Sequence, residues 1–166
     1  MVNAKHAIFA ALIAAGAIFA FFTFFQGDEA KIKKKFHSLA ELVEKNGNEH
    51  DLIAAKKAHQ IEQMFSKTVR IRIPSYDIDR SFDNRDISPH VLYARARYRK
   101  ISLEFNDFRF EFPENETAEV NLTGVLNALT GSGERVREFH EMVCTLEKVD
   151  GEWRITGVSG VDVLEK

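Results

Sequence analysis

The chain has 166 residues and a formal net charge of −2, from 23 basic and 25 acidic side chains. That balance argues against a general nucleic-acid binder, which carries a basic excess. One cysteine, Cys144, excludes an intramolecular disulfide and is compatible with either side of a membrane.

The first patterned stretch is Ala7 to Phe25, nineteen residues without a charge. A helix of that length spans about 28 Å, close to the hydrocarbon thickness of a bilayer. A secretory signal peptide is the rival reading, with Lys5 in its basic region. Its apolar core would be shorter, about 7–15 residues, and small residues would follow at the cleavage site. Here the run ends in Phe21, Phe22, Phe24 and Phe25, so an uncleaved anchor is expected. The expected organisation is an N-tail and transmembrane anchor over 1–27, then one domain over 28–166. Lys31, Lys33, Lys34 and Lys35, counted alone, would keep the domain in the cytoplasm. The very short N-tail argues the opposite, an N-terminus inside and a domain on the periplasmic side of the inner membrane. That second orientation is the expectation, with the lipid bilayer as a partner.

The remaining stretch, about 140 residues, is enough for one domain with one core. Asp28 can cap a helix running to about Lys45, with Ile32, Phe36, Leu39, Ala40 and Val43 on one face. Asn46-Gly47 stops it, and Asn48 caps a second helix with Ala54, Ala58, Ile61 and Phe65 as its stripe. Thr68 to Ile73 alternates as a strand, and Pro74 ends it. Ser75 to Asp86 reads as a polar loop. Ser88-Pro89 starts a third helix towards Lys100, with Arg95, Arg97, Arg99 and Lys100 as a basic surface.

From Ile101 the period becomes two. Ile101, Leu103 and Phe105 alternate with polar residues. The phase then slips at Asn106-Asp107 before Phe108, Phe110 and Phe112 resume it. A one-residue slip predicts a bulge that bends a long strand. Ala118, Val120, Leu122, Gly124 and Leu126 form the next strand, and Arg135 to Lys148 another. Asp150-Gly151 is a hairpin signal, and Trp153 to Leu164 closes the sheet.

Three passages then carry a resemblance. ISLEFNDFRFEFPENETAEVNL looks like a bent strand, an acidic turn and an alanine opening the next strand. LEKVDGEWRITGV looks like a closing hairpin. FSKTVRIRIPSYD, followed by DISPHVLYARARYRK, is similar to a first strand, loop and third helix. Together they resemble the nuclear-transport-factor-two-like superfamily, also called polyketide-cyclase-like or ketosteroid-isomerase-like. The resemblance implies an α+β cone, a curved antiparallel sheet wrapped by three helices. It covers isomerases, dehydratases, cyclases, ligand binders and dimeric scaffolds, so it does not choose an activity.

Enzymes of this fold use a carboxylate or histidine base with a tyrosine or histidine donor in the cone. The candidates here are His140, His59, Tyr76 and Asp77. His140 shares a strand face with Glu138, Met142, Cys144 and Leu146; His59 edges the second helix's stripe; Tyr76 and Asp77 sit in the loop after the first strand. His37, His59, His90 and His140 are scattered, so no metal site is expected. No phosphate loop is present, so no cofactor is expected. The reading that follows is a membrane-anchored, non-enzymatic binding or assembly domain, either a homodimer or a subunit of a membrane complex. Val125 and Leu129, or Phe139 and Val143, would supply apolar contacts to a second copy. The alternative is a small-molecule enzyme of isomerase or dehydratase type, or a carrier of a small apolar ligand, using the cone.

Overall fold

The computed structural model describes residues 27–161, with only the backbone at Tyr76, and its elements follow the periodicities of the sequence. Helix α1 covers 27–43 and buries Phe36 and Leu39. It stops short of Lys45 because Lys45–Asn46 form a two-residue strand, β1, paired through Lys45↔Ile101 and Asn46↔Lys100. Gly47 follows at φ +77°, where a Cβ would be strained. Helix α2 is Asp51–Glu62, with His50 rather than Asn48 as its N-cap. Strand β2 is Phe65–Ile73.

The stretch expected to be a loop contains a strand, β3, Ile78–Asp83. It lies at the sheet's edge and pairs with β2 alone, so it has no buried face to write a period into the sequence. Asp83 then accepts the backbone N–H of Arg85 in a short 3-10 turn, Asn84–Asp86. Helix α3, Ile87–Arg97, follows, with Asp86 rather than Ser88 as N-cap. It ends before Lys100, which is already paired in the sheet.

Four long strands complete the fold: β4 Tyr98–Glu111, β5 Thr117–Thr130, β6 Arg135–Val149 and β7 Glu152–Gly160. The expected bulge in β4 is present as a register shift between Asn106 and Arg109, with Asp107 at φ +56°. Asp150 at φ +52° and Gly151 at φ +81° make the tight β6–β7 turn. The described strands form one curved sheet in the order β1-β4-β5-β6-β7-β2-β3. With three helices beside it, the fold is α+β. The sheet is mixed, which corrects the expected antiparallel one: β2 and β7 run parallel. The connection between them contains β3, α3 and β4 to β6, ample length for a parallel pairing.

By its contacts the chain divides into two units, Met1–Lys33 and Lys34–Lys166. In the first, 27–33 belong to α1, where Asp28 is buried and accepts a hydrogen bond from Lys31 at 3.4 Å. The sheet and the other helices belong to the second. The expected transmembrane helix over 7–25 lies outside the described residues. Among the described residues no helix is long and apolar enough to cross a membrane.

One face of the sheet meets the helices. Phe36 packs edge-on to Phe105, with ring centroids 5.2 Å apart, and tilts against Phe108 at 5.7 Å. Phe108, Phe110 and Phe112 stack along β4 at 5.9 and 6.5 Å, and Phe112 reaches Trp153 at 6.2 Å. Val120, Cys144, Leu146 and Ile155 are buried in the core. A fully buried side chain of Val, Leu or Ile size contributes about 1.5–3 kcal/mol.

Arg95 corrects the expected basic surface of α3, because it is buried. Its guanidinium donates to the carbonyls of Leu42, Val43 and Glu44, which end α1 and lack intrahelical partners. It also grips Glu49, with Nε–Oε2 at 2.9 Å. Lys45 returns the arrangement, donating to the carbonyls of Arg95 and Tyr98 at the end of α3. Lys57 lies 3.0 Å from Glu49. Desolvation pushes the Glu49 carboxyl up, but Arg95 and Lys57 together outweigh it and hold it below its ordinary range.

Candidate functional site

Directly opposed residues of an antiparallel ladder project from the same face. On the helix side this builds three rows across β4, β5 and β6: Ile101–Ala128–Val136, Leu103–Leu126–Glu138 and Phe105–Gly124–His140. An apolar cavity of about 180 Å³ lies over Ile101 and Ala128 of the first row and Leu126 of the second. Val43 of α1, Val91, Ala94 and Arg95 of α3, and Tyr98, Ile101, Leu126 and Ala128 of the sheet line it. Arg95 is hydrogen-bonded to Glu49 and the end of α1, so the cavity wall carries a satisfied cation.

Glu138 stands in the same row as the lining residue Leu126, and His140 one row further, roughly 7 Å along the strand. His140 Nε2 is 3.1 Å from Glu138 Oε2, and both side chains are about half exposed, 54% and 51%. The ring nitrogen in contact is Nε2, and its role follows from the tautomer: with the proton on Nε2 it donates to Glu138 and Nδ1 is the acceptor. A histidine oriented by a carboxylate is equipped for proton transfer to or from a small molecule, and this pair stands in the ladder rows next to the cavity without lining it.

Two backbone features shape the surroundings of this pair. The β6–β7 ladder ends at Met142↔Gly160, with one further bond from Val161 N–H to the Glu141 carbonyl. Among the described residues, Arg135 to His140 therefore have a sheet neighbour on one side only, β5, which leaves His140 and Glu138 accessible. Opposite His140, Gly124 supplies no side chain, and the Met142 methyl fills the space. A Cβ on Gly124 would stand 2.8 Å from Met142 Cε.

The other sequence candidates do not join this pair. His59 is exposed on α2, bonded to Gln63 at 2.9 Å and 3.6 Å from Glu62. Asp77 is exposed at φ +53°, capping the turn after Pro74. The side chain of Tyr76 lies outside those described. His59 is occupied on its own helix, and Asp77 is fixed by a turn between β2 and β3. No described hydrogen bond or ion pair links either to His140. The partner that sequence reasoning left unassigned is Glu138. Its signal was its spacing, i and i+2 on a strand, which places it on the face of His140. Cys144 is not a nucleophile in this state, because burial pushes its thiol up to about 12.

The apolar contacts proposed for a second copy lie on the face away from the helices. Val125 is buried there, and Phe139 is 60% exposed with the Arg137 guanidinium 4.9 Å above its ring. They share the face with Glu104, Asn121, Thr123, Asn127 and Glu141, so it is polar overall.

No family model matches the chain, and no curated protein matches it. Solved structures do. A candidate scytalone dehydratase from Novosphingobium aromaticivorans aligns with TM-score 0.67 at 10% identity, covering 81% of this chain and 83% of that one. A candidate aromatic ring hydroxylase from the same organism gives 0.68 at 11%, covering 84% and 91%. A hexachlorocyclohexane dehydrochlorinase, LinA-type3, from Novosphingobium barchaimii gives 0.62 at 9%, covering 82% and 86%. At these identities the likeness shows the fold, a nuclear-transport-factor-two-like one. It also turns against the expectation of a non-enzymatic assembly domain, because these three structures are each named for an enzyme activity.

Proposed function

We propose that this chain is a small-molecule enzyme of isomerase or dehydratase type, moving a proton at carbon by general acid–base chemistry. His140 is the base, through Nδ1. Glu138 is the positioning residue that holds the imidazole by Nε2–H. The apolar cavity bounded by Leu126, Ala128 and Ile101 takes the uncharged body of the substrate. The observation that carries this reading is the 3.1 Å His140–Glu138 pair in the rows beside that cavity. Two of the similar structures, a candidate dehydratase and a dehydrochlorinase, are named for eliminations, which begin or end with such a transfer. The uncharged run from Ala7 to Phe25 supports placing the activity at a membrane.

A generic carbon acid tests the reading without knowledge of the natural substrate. The full-length chain is assayed for ring-opening elimination of 5-nitrobenzisoxazole. His140→Ala is expected to lower turnover by about 10²–10⁴-fold, the usual contribution of a positioned base. Glu138→Gln is expected to lower it less. Equal turnover by wild type and His140→Ala would contradict the assignment.

A further inference from the structure

The geometry points to a second ligand site, a cationic groove on the sheet face away from the helices, built to hold the phosphate group of a small organic phosphate. The groove has a volume of about 460 Å³. Two rows of the ladder form it: Lys100–Leu129–Arg135, extended by Asn46, and Ser102–Asn127–Arg137. The side chains of these two rows project from one face, and the intervening Ile101, Ala128 and Val136 also line the groove.

Three cations therefore bound the groove, and no acidic residue lines it. The nearest acid on this face along β4 is Glu104, in the next row, while Glu44 accepts a hydrogen bond from the lining Asn46 at 2.6 Å. Lys100 and Arg135 are exposed and form no ion pair among the described residues. Arg137 stacks on Phe139, which restricts its guanidinium without neutralising it. Lys100 on β4 and the arginines on β6 stand two strand spacings apart, about 9.6 Å, with β5 as the floor between them. An arginine fork matches two phosphate oxygens and lysine adds a point charge. Asn127 and Ser102 supply further donors. Leu129 gives the floor an apolar strip for the organic part. Three cations suit a phosphate dianion better than a single carboxylate. A concave site of this size suits a small molecule rather than a bilayer surface.

Calorimetry of the full-length chain with phenyl phosphate, at fixed ionic strength, tests this. A saturable single-site isotherm is expected, with weaker binding of inorganic phosphate. Arg135→Gln and Lys100→Gln should each weaken binding by about tenfold, and Asn127→Asp, which puts a carboxylate in the floor, should abolish it. His140→Ala should bind phenyl phosphate as wild type does, which separates this site from the proposed catalytic one. The inference is overturned by an unsaturable isotherm, by equal binding in all the groove variants, or by a chain that takes phosphatidylserine vesicles but not phenyl phosphate.

Discussion

The two ends of β6 put the same kind of backbone to opposite uses. From Met142 to Val149 the strand is paired on both sides, and its helix-side residues Cys144 and Leu146 are 2% and 1% exposed. From Arg135 to His140 it is paired with β5 only, among the described residues, and its helix-side residues include the half-exposed Glu138 and His140. One end is core, closed by the stack running from Phe108 to Trp153. The other is unpaired on one side among the described residues and carries titratable groups. A strand held rigidly at one end can present side chains at the other without spending a loop on them, which keeps their geometry fixed.

This contrast can be broken at the joint that supports the open end. Arg95→Met leaves Glu49 in place with one of its two cationic partners gone, and frees the last carbonyls of α1. Removing one partner of such a buried pair costs about 3–5 kcal/mol. Chemical denaturation should register that loss as a lowered midpoint, and an unchanged midpoint would remove Arg95 from the account of how the cavity wall is held.

Matched truncations on β6 sharpen the contrast itself. Leu146→Ala should cost about 2–5 kcal/mol, as a core truncation does. His140→Ala should stay within about 0.5 kcal/mol of wild type, as surface substitutions do. Similar costs at the two positions would mean that the ends of the strand are not distinct.

A smaller effect is expected with pH. Glu49 has a folded-state value below its ordinary one, so its contribution is complete above the ordinary glutamate range, near pH 4.3. It is lost as pH falls through that range towards the lower folded value. Thermal melts should therefore show a steeper decline in acid for wild type than for Glu49→Gln. The smallest effect is chemical: a thiol reagent at neutral pH should leave Cys144 unmodified in the folded chain and label it after denaturation.

What the sequence made legible was local and periodic. The phase slip at Asn106-Asp107 is the bulge, Asp150-Gly151 is the hairpin, and the face shared by His140, Met142, Cys144 and Leu146 is present in the register. Edge strand β3 was not legible, because Ile78 to Asp83 pairs on one side and needs no apolar face. The burial of Arg95 was hidden because its compensating groups, the end of α1 and Glu49, lie more than forty residues away. The pairing of His140 with Glu138 was within reach from i, i+2 spacing. What no local pattern revealed was that β7 stops at Gly160 and leaves that end of β6 open among the described residues.

The central claim is that Glu138 holds His140 by Nε2–H and leaves Nδ1 free as the base. Long-range proton–nitrogen correlation spectra of the imidazoles in nitrogen-15-labelled chain, with His140 assigned from the His140→Ala variant, read the tautomer directly. At a pH where His140 is neutral, the account predicts a protonated Nε2 and an unprotonated Nδ1. In Glu138→Gln the preference should weaken. A neutral His140 protonated on Nδ1, or a tautomer unaffected by Glu138→Gln, would contradict it.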